Sequence, residues 1–146
     1  MSLRRRAFVA VLAAHAAIYE RSGGLIGHRL IGLPTLLLRT TGAKSGQPRV
    51  SALVYAKDGD RWLVVPSNGG ARRASAWLHN VRANPRVVVQ VGRRRQPAEA
   101  TVVTRGEPDF DRLWKIADDN NRGQYGRYQQ QTDRQIPVVV LTSVAD

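Results

Sequence analysis

The stretch LLLRTTGAKSGQPR, residues 36–49, constrains the fold more than any other part of this chain. Leu36, Leu37 and Leu38 are apolar without alternation, which suits a strand covered on both faces. Thr40 and Thr41 are β-branched and polar, as at a strand exit. Gly42 and Gly46 open backbone angles closed to other residues and let a ligand approach the main chain. Lys44 and Arg49 bracket the second glycine with positive charge, and Pro48 keeps Gln47 extended. Main-chain N–H groups, the hydroxyls of Thr41 and Ser45 and two cations suit a phosphate or a carboxylate-rich ligand. A plain hairpin turn with solvated charges fits the same residues, and residue chemistry alone leaves both readings open. Two phosphate loops are excluded by spacing. Only Ala43 separates Gly42 from Lys44, so this is not a Walker A loop. Ser22–Gly27 lacks the G-x-G-x-x-G spacing and follows a helical pattern rather than a strand.

The chain has 146 residues, enough for one domain with a real core. Its formal net charge is +12, and only Lys44, Lys57 and Lys115 among the cations are lysine. Such a balance suggests nucleic acid, an anionic membrane surface or a polyanionic small molecule as partner. Genomic base composition enriches arginine too. There is no cysteine, which excludes disulfides, a thiolate nucleophile and zinc–cysteine sites. This is compatible with a cytoplasmic location. No metal site is expected.

Arg4 to Glu20 reads as a helix, with Phe8, Val11, Leu12, His15, Ile18 and Tyr19 at helical spacing behind three arginines. A signal peptide fits less well, because the helical pattern runs past the small-residue site at Ala14–Ala16. The segment is too short to span a membrane. The best reading is a helix packed on the domain, its arginines able to touch anionic lipid on the inner membrane face. Arg21 to Pro34 follows as a glycine-punctuated loop containing His28. Short strands come next: Thr35 to Thr40, Arg49 to Lys57 and Arg61 to Pro66, the last two joined by the Asp58-Gly59-Asp60 hairpin. Pro66 to Gly70 is a small polar loop able to set backbone donors beside a planar ligand, or an ordinary connection. A short helix, Ser75 to Ala83, has Ser75 as N-cap and stops at Asn84-Pro85. Arg86 to Val91 and Gln96 to Thr104 are strands around the basic turn Gly92–Arg95, with Pro97 at a strand start or on an edge. That turn lacks the interleaved aromatics of a nucleic-acid site. Glu107 to Asn120 is a helix with Pro108 in its first turn. In the amide-rich segment Asn121 to Arg134, Tyr125 and Tyr128 share a helical face as two exposed tyrosines, forming a pocket wall or anchoring the segment. Ile136 to Thr142 closes the chain as a buried, central strand. Tight turns between short strands make the sheet antiparallel and curl it toward a barrel.

Several of these motifs occur together in one order: Thr40 to Arg49, Asp58-Gly59-Asp60, Ser67-Asn68-Gly69-Gly70, Trp77, Asn84-Pro85, and Thr132 to Val140. The ordered set, from Leu25 onward, resembles the deazaflavin (coenzyme F420)-dependent nitroreductase and quinone reductase family of the split β-barrel flavin/deazaflavin oxidoreductases. The resemblance implies an α+β fold: one mostly antiparallel split β-barrel domain over residues 1–146, with an N-terminal helix and loop (1–34) and a cofactor-binding barrel (35–146). It implies F420 in a basic groove. By position, Ala43, Lys44 and Ser45 match the segment that holds phosphate and oligoglutamate tail. Arg49, Val50, Ser51, Ala52, Leu53 and Val54 match the strand that continues the groove. Val65, Pro66, Ser67 and Asn68 match the loop beside the ring, and Ala76, Trp77, Leu78, His79 and Asn80 the helix start that completes the site. Tyr125 matches a tyrosine that closes over the ring and Tyr128 one on the substrate side. The sequence departs from the family pattern at Ala74-Ser75, at Leu78, at Arg122 and at Ser51-Ala52, which bears on acceptor choice more than on cofactor binding.

The implied activity is hydride transfer from reduced F420 to an electron-poor small molecule: a quinone, an enone or a nitro compound. Tyr125, Tyr128 or Ser67 is the candidate proton source, and Tyr125→Phe is expected to lower turnover more than cofactor affinity. The rivals are an FMN-binding split barrel, a non-enzymatic F420 carrier and, ranked last, a basic nucleic-acid binder. Barrels of this kind often pair, so a homodimer is expected by resemblance.

Overall fold

The computed structural model describes residues 29–30 and 33–144. The helix expected at Arg4 to Glu20, with His15, and most of the following loop, with His28, lie outside the described residues. Among those described, eight strands form one antiparallel sheet. They are β1 (Arg29–Leu30), β2 (Leu33–Thr41), β3 (Pro48–Val54), β4 (Ala56–Asp58), β5 (Arg61–Val64), β6 (Arg86–Val91), β7 (Arg94–Val103) and β8 (Val138–Ser143). The order runs β1-β2-β6-β7-β8-β5-β4, with β3 on the other edge of β2. Helix α1 (Ala76–Ala83) links β5 to β6, while α2 (Phe110–Asn120) and α3 (Gln124–Gln129) link β7 to β8. No described helix is long and apolar enough to cross a membrane.

Leucines 36, 37 and 38 are each 0% exposed and point to opposite faces, as their unbroken apolar run requires. Leu36 and Leu38 join Trp62, Val64, Val87, Val89, Val139 and Leu141 in one core, which α1 fills with Trp77, Leu78 and Val81. Side chains from β2, β5, β6 and β8 reach a single short helix only because the sheet curls around it, and that curl makes the split barrel. On the other face of β5 and β8, Leu63, Val138 and Val140 pack under α2 and α3, against Phe110, Leu113, Ala117 and Tyr125. Leu37 and Ala52 make a small third cluster with Val50.

The segment expected as one strand from Arg49 to Lys57 is two strands. β3 pairs with β2, whereas β4 pairs with β5, and the change of partner falls at Tyr55. Tyr55 N–H still donates to the Pro34 carbonyl at 3.1 Å. Pro34 has no N–H to return the bond. The Tyr55 carbonyl is met instead by the Asn120 amide at 2.9 Å, which ties the end of α2 to the corner. The basic turn is also tighter than expected: Val91 pairs directly with Arg94, so only Gly92 and Arg93 turn the chain. Pro97 lies inside β7, opposite Val88. Its carbonyl accepts from Val144 N–H, so the side where its N–H is missing faces the end of β8, and no bond to β6 is lost. Helix α2 starts at Phe110 rather than Glu107, because Glu107 is used as a cap: its carboxylate accepts from the N–H and hydroxyl of Thr104. The last strand starts two residues late, since Gln129 Oε1 takes the Ile136 N–H at 2.9 Å and Pro137 has none.

Asp58 opens the β4–β5 hairpin and accepts two hydrogen bonds from Arg112 of α2, at 2.8 and 3.3 Å, and one from Arg61. The Arg112 and Arg61 hydrogen bonds hold its carboxyl below the usual carboxylate range. A pKa lower in the folded than in the unfolded chain adds stability that is complete above about pH 4 and is lost as pH falls through the folded value. Asp58→Asn is expected to flatten the fall of melting temperature with pH below about 4. Melts of both proteins from pH 7 to pH 2.5 check this, and identical acid limbs would remove Asp58 from the account.

Candidate functional site

The loop between β2 and β3 is closed by its own main chain. Gly42 N–H donates to the Gln47 carbonyl at 2.8 Å, Gly46 N–H to the Gly42 carbonyl at 3.0 Å, and the Ser45 hydroxyl accepts from Gln47 N–H at 3.1 Å. Gly46 has φ +67°, and nothing stands within 4 Å of where a Cβ would be. Backbone angle and not crowding requires glycine there, and the space above it is open to a ligand. Ala43, Lys44, Ser45 and Arg49 are all exposed. Among the described residues neither Lys44 nor Arg49 meets a carboxylate; Arg49 donates only to the Pro48 carbonyl, at 3.2 Å.

Asn80 binds this loop to α1. Its Oδ1 accepts from Ala43 N–H at 2.9 Å, and its Nδ2 donates to Thr40 Oγ1 at 3.2 Å. Both Asn80 and Thr40 are buried, so each polar group is matched where water cannot replace its partner. One turn on, Asn84 Nδ2 just reaches the Thr41 carbonyl at 3.5 Å. The sequence placed Asn80 among ligand contacts; the structure gives its side chain to the scaffold of the basic loop.

The register of β3 adds a second donor set. Leu53, Ser51 and Arg49 turn their main-chain groups toward β2, in phase with the Tyr55 bond. Val50, Ala52 and Val54 therefore turn theirs outward. Among the described residues β3 pairs with β2 alone, so those N–H groups line an open edge next to Lys44 and Arg49. Side chains alternate along the strand: Leu53 packs toward the α1 core, and Val50 and Ala52 toward Leu37. All six expected residues of β3 cannot face one ligand with their side chains, whereas the edge backbone can follow it.

The loop after β5 approaches α1 from its start. Pro66 and Ser67 are buried and Asn68 is exposed. Asn68, Gly69 and Gly70 are left-handed in succession, at φ +46°, +63° and +77°. At Gly70 a Cβ would stand 2.9 Å from the Tyr128 carbonyl, so glycine lets this loop touch α3. Asn68 Nδ2 donates to the Arg73 carbonyl at 3.1 Å on the way to α1. Val65 belongs to the core beneath α2 and α3, and Trp77 and Leu78 to the core inside the barrel. Ala76 and His79 are exposed on α1, whereas Ser75, at the N-cap, makes no side-chain cap bond.

Tyr125 is not one of two exposed tyrosines. It is 6% exposed and packs with Phe110, Leu113 and Ala117, its ring 6.4 Å from that of Trp114. Burial pushes its phenol well above the ordinary range and keeps it protonated. Tyr128, three residues on, is half-buried at the edge of the same cluster. The anchoring role thus belongs to Tyr125. Sequence reasoning passed over Arg134, which reaches the loop after β5 by three hydrogen bonds, and Gln129, which braces the turn leading to it. For Arg134 the signal was its place in the Thr132 to Val140 motif, to which no role was given; Gln129 carried none.

A curled antiparallel sheet around one short helix, with a basic, glycine-hinged loop beside an edge unpaired among the described residues, is a split barrel. Solved structures agree. One titled F420-H2 dependent reductase (FDR-A) is 38% identical with TM-score 0.65, covering 74% of this chain and 93% of that one. Another, described as a domain-swapped dimer, is 32% identical with TM-score 0.68, covering 91% and 98%. An F420H(2)-dependent quinone reductase of Mycobacterium tuberculosis is 50% identical over 141 residues, 96% of this chain and 95% of its own. The family model for F420H(2)-dependent quinone reductase matches residues 11–143, and the chain belongs to that family. It is an oxidoreductase, and its cofactor is F420.

Removing the Asn80 amide takes the donor from the buried Thr40 hydroxyl and frees the loop at Ala43. Asn80→Ala is expected to lower unfolding free energy by about 1–3 kcal/mol, the cost of an unmet buried group. Urea denaturation of the two proteins checks it.

Proposed function

We propose that this chain reduces quinones with two electrons from F420, using the open edge of β3 and the basic loop to hold the cofactor's phosphodiester and glutamate tail. The observation that carries the reading is the pair Lys44 and Arg49, unmatched by acid among the described residues, beside the vacant face of Gly46 and the outward N–H groups of Val50, Ala52 and Val54. Two cations and a row of main-chain donors are the chemistry that a polyanionic ligand needs, so the residues present fit the cofactor.

When bound, the reduced deazaflavin supplies a hydride from its C5. The chain's task is to orient that group, exclude water and bring a proton to the oxygen that gains negative charge. Ser67 and Tyr128 are the hydroxyls assigned to the proton. Tyr125, protonated and enclosed, holds α3 in place behind Tyr128. Quinones fit best because one hydride and one proton together convert a quinone to its hydroquinone, so a single proton source completes the reaction. Conjugated enones are a second acceptor class and nitro compounds a weaker one. A homodimer is the expected assembly, and contact of the basic N-terminal segment with anionic lipid would bring the enzyme to membrane-dissolved quinone.

Fluorescence titration with F420, beside FMN, tests the reading. Saturable F420 binding is expected, weakened about 10-fold or more by Lys44→Ala or Arg49→Ala, as for a lost charge-assisted contact worth ~1.5–3 kcal/mol. Tight FMN binding without F420 binding would overturn it. In steady-state quinone reduction, Tyr128→Phe is expected to lower kcat with little change in F420 affinity, while Tyr125→Phe shows itself mainly in melting temperature. The reverse pattern would return the proton to Tyr125.

A further inference from the structure

Arg134 lies in the turn between α3 and β8, and its guanidinium is spent on one loop. Nε donates to the Ala71 carbonyl at 2.9 Å, Nη2 to the Ser67 carbonyl at 2.7 Å, and Nη1 to the Pro66 carbonyl at 3.3 Å. Ser67's carbonyl also accepts from Gly70 N–H at 2.9 Å. Arg134 is itself held. Gln129 Nε2 donates to its carbonyl at 2.7 Å, while Gln129 Oε1 takes the Ile136 N–H at 2.9 Å. No carboxylate among the described residues pairs with Arg134, and partial burial lowers its pKa from the usual arginine value. A partly desolvated cation matched only by carbonyls is a costly way to brace an ordinary surface turn.

The consequence lies on the opposite side of the peptide planes. A trans peptide points its C=O and the next N–H in opposite directions. With the Ser67 carbonyl drawn toward Arg134, Asn68 N–H is turned away from it, and no described group accepts that N–H. The left-handed run from Asn68 to Gly70 has little freedom to turn back, since Gly70 lies against the Tyr128 carbonyl.

We propose that Arg134 is the positioning residue of the loop after β5: by clamping the Pro66, Ser67 and Ala71 carbonyls it presents Asn68 N–H as a rigid donor to an oxygen of the bound deazaflavin ring. The inference rests on the reading of this site as an F420 site. Arg134 touches neither cofactor nor acceptor; it acts through the loop. The donor's value lies in being fixed before the ligand arrives.

The test uses the full chain with Arg134→Gln, which keeps some donors but removes the charge and the fork, and Arg134→Lys, which keeps the charge alone. Amide hydrogen exchange on the cofactor-free proteins is expected to speed up at residues 67–72 in both variants and to stay unchanged in β6 to β8. F420 titration should show affinity weakened about 10- to 100-fold in Arg134→Gln, and at least a few-fold in Arg134→Lys, while melting temperature stays within a few degrees. A merely structural role predicts the reverse, a lower melting temperature with F420 affinity intact, and would overturn the proposal. Unchanged exchange at 67–72 would overturn it too, as would Arg134→Lys matching wild type in F420 affinity. If the wild-type chain itself fails to saturate with F420, the site reading falls and takes this inference with it. That outcome is distinct from a wild type that saturates and a variant that equals it.

Discussion

Everything in this fold depends on burying both faces of β2. Three consecutive leucines cannot be hidden by a sheet packed on one side only. Leu36 and Leu38 require α1 inside the curl, and Leu37 requires a second apolar surface with Ala52 and Val50. Burial of each leucine is worth about 1.5–3 kcal/mol relative to exposure. The strand is therefore locked at its middle, and the polar loop that leaves its end inherits a fixed starting point. The loop's chemistry is then set by a single amide. Asn80 couples it to the same helix that fills the core, so packing energy in the barrel is passed directly to the orientation of Ala43 and its neighbours.

The candidate site is built from the backbone more than from side chains. Lys44 and Arg49 supply charge, but direction comes from main-chain N–H groups on the edge of β3 and in the loop after β5. Two buried or half-buried polar side chains stand behind the site: Asn80 fixes the basic loop at Ala43, and Arg134 holds carbonyls of the loop after β5. Such a division suits a cofactor that brings its own reactivity. The protein needs donors at fixed places, and it needs no nucleophile of its own.

Much of this was legible in the sequence because it is local. The Leu36–Leu38 run, the hairpin at Asp58-Gly59-Asp60 and the stop at Asn84-Pro85 each carry their cause within a few residues. What was not legible depends on distant partners. The break at Tyr55 arises because β3 and β4 are claimed by different strands, and nothing in Arg49 to Lys57 records it. Tyr125 sits among amides and arginines that suggest solvent, yet Phe110, Leu113 and Trp114 of the preceding helix close over it. Arg134 resembles one more surface cation, since its partners are carbonyls more than sixty positions away. The ordered motifs pointed to the right family without revealing these contacts.

The edges of the sheet are treated unequally. β1 and β4, at the ends of the strand order, have two and three residues, too short to template a foreign strand. On β7, Pro97 brings no donor to the side facing the end of β8, and its carbonyl is already taken by Val144 N–H. Among the described residues, β3 is a seven-residue strand with a neighbour on one side alone, and Val50, Ala52 and Val54 turn their main-chain groups to its open side. Among the described residues, the long border open to another strand is thus the border that the proposed ligand covers, and cofactor loading would double as protection against strand-to-strand aggregation.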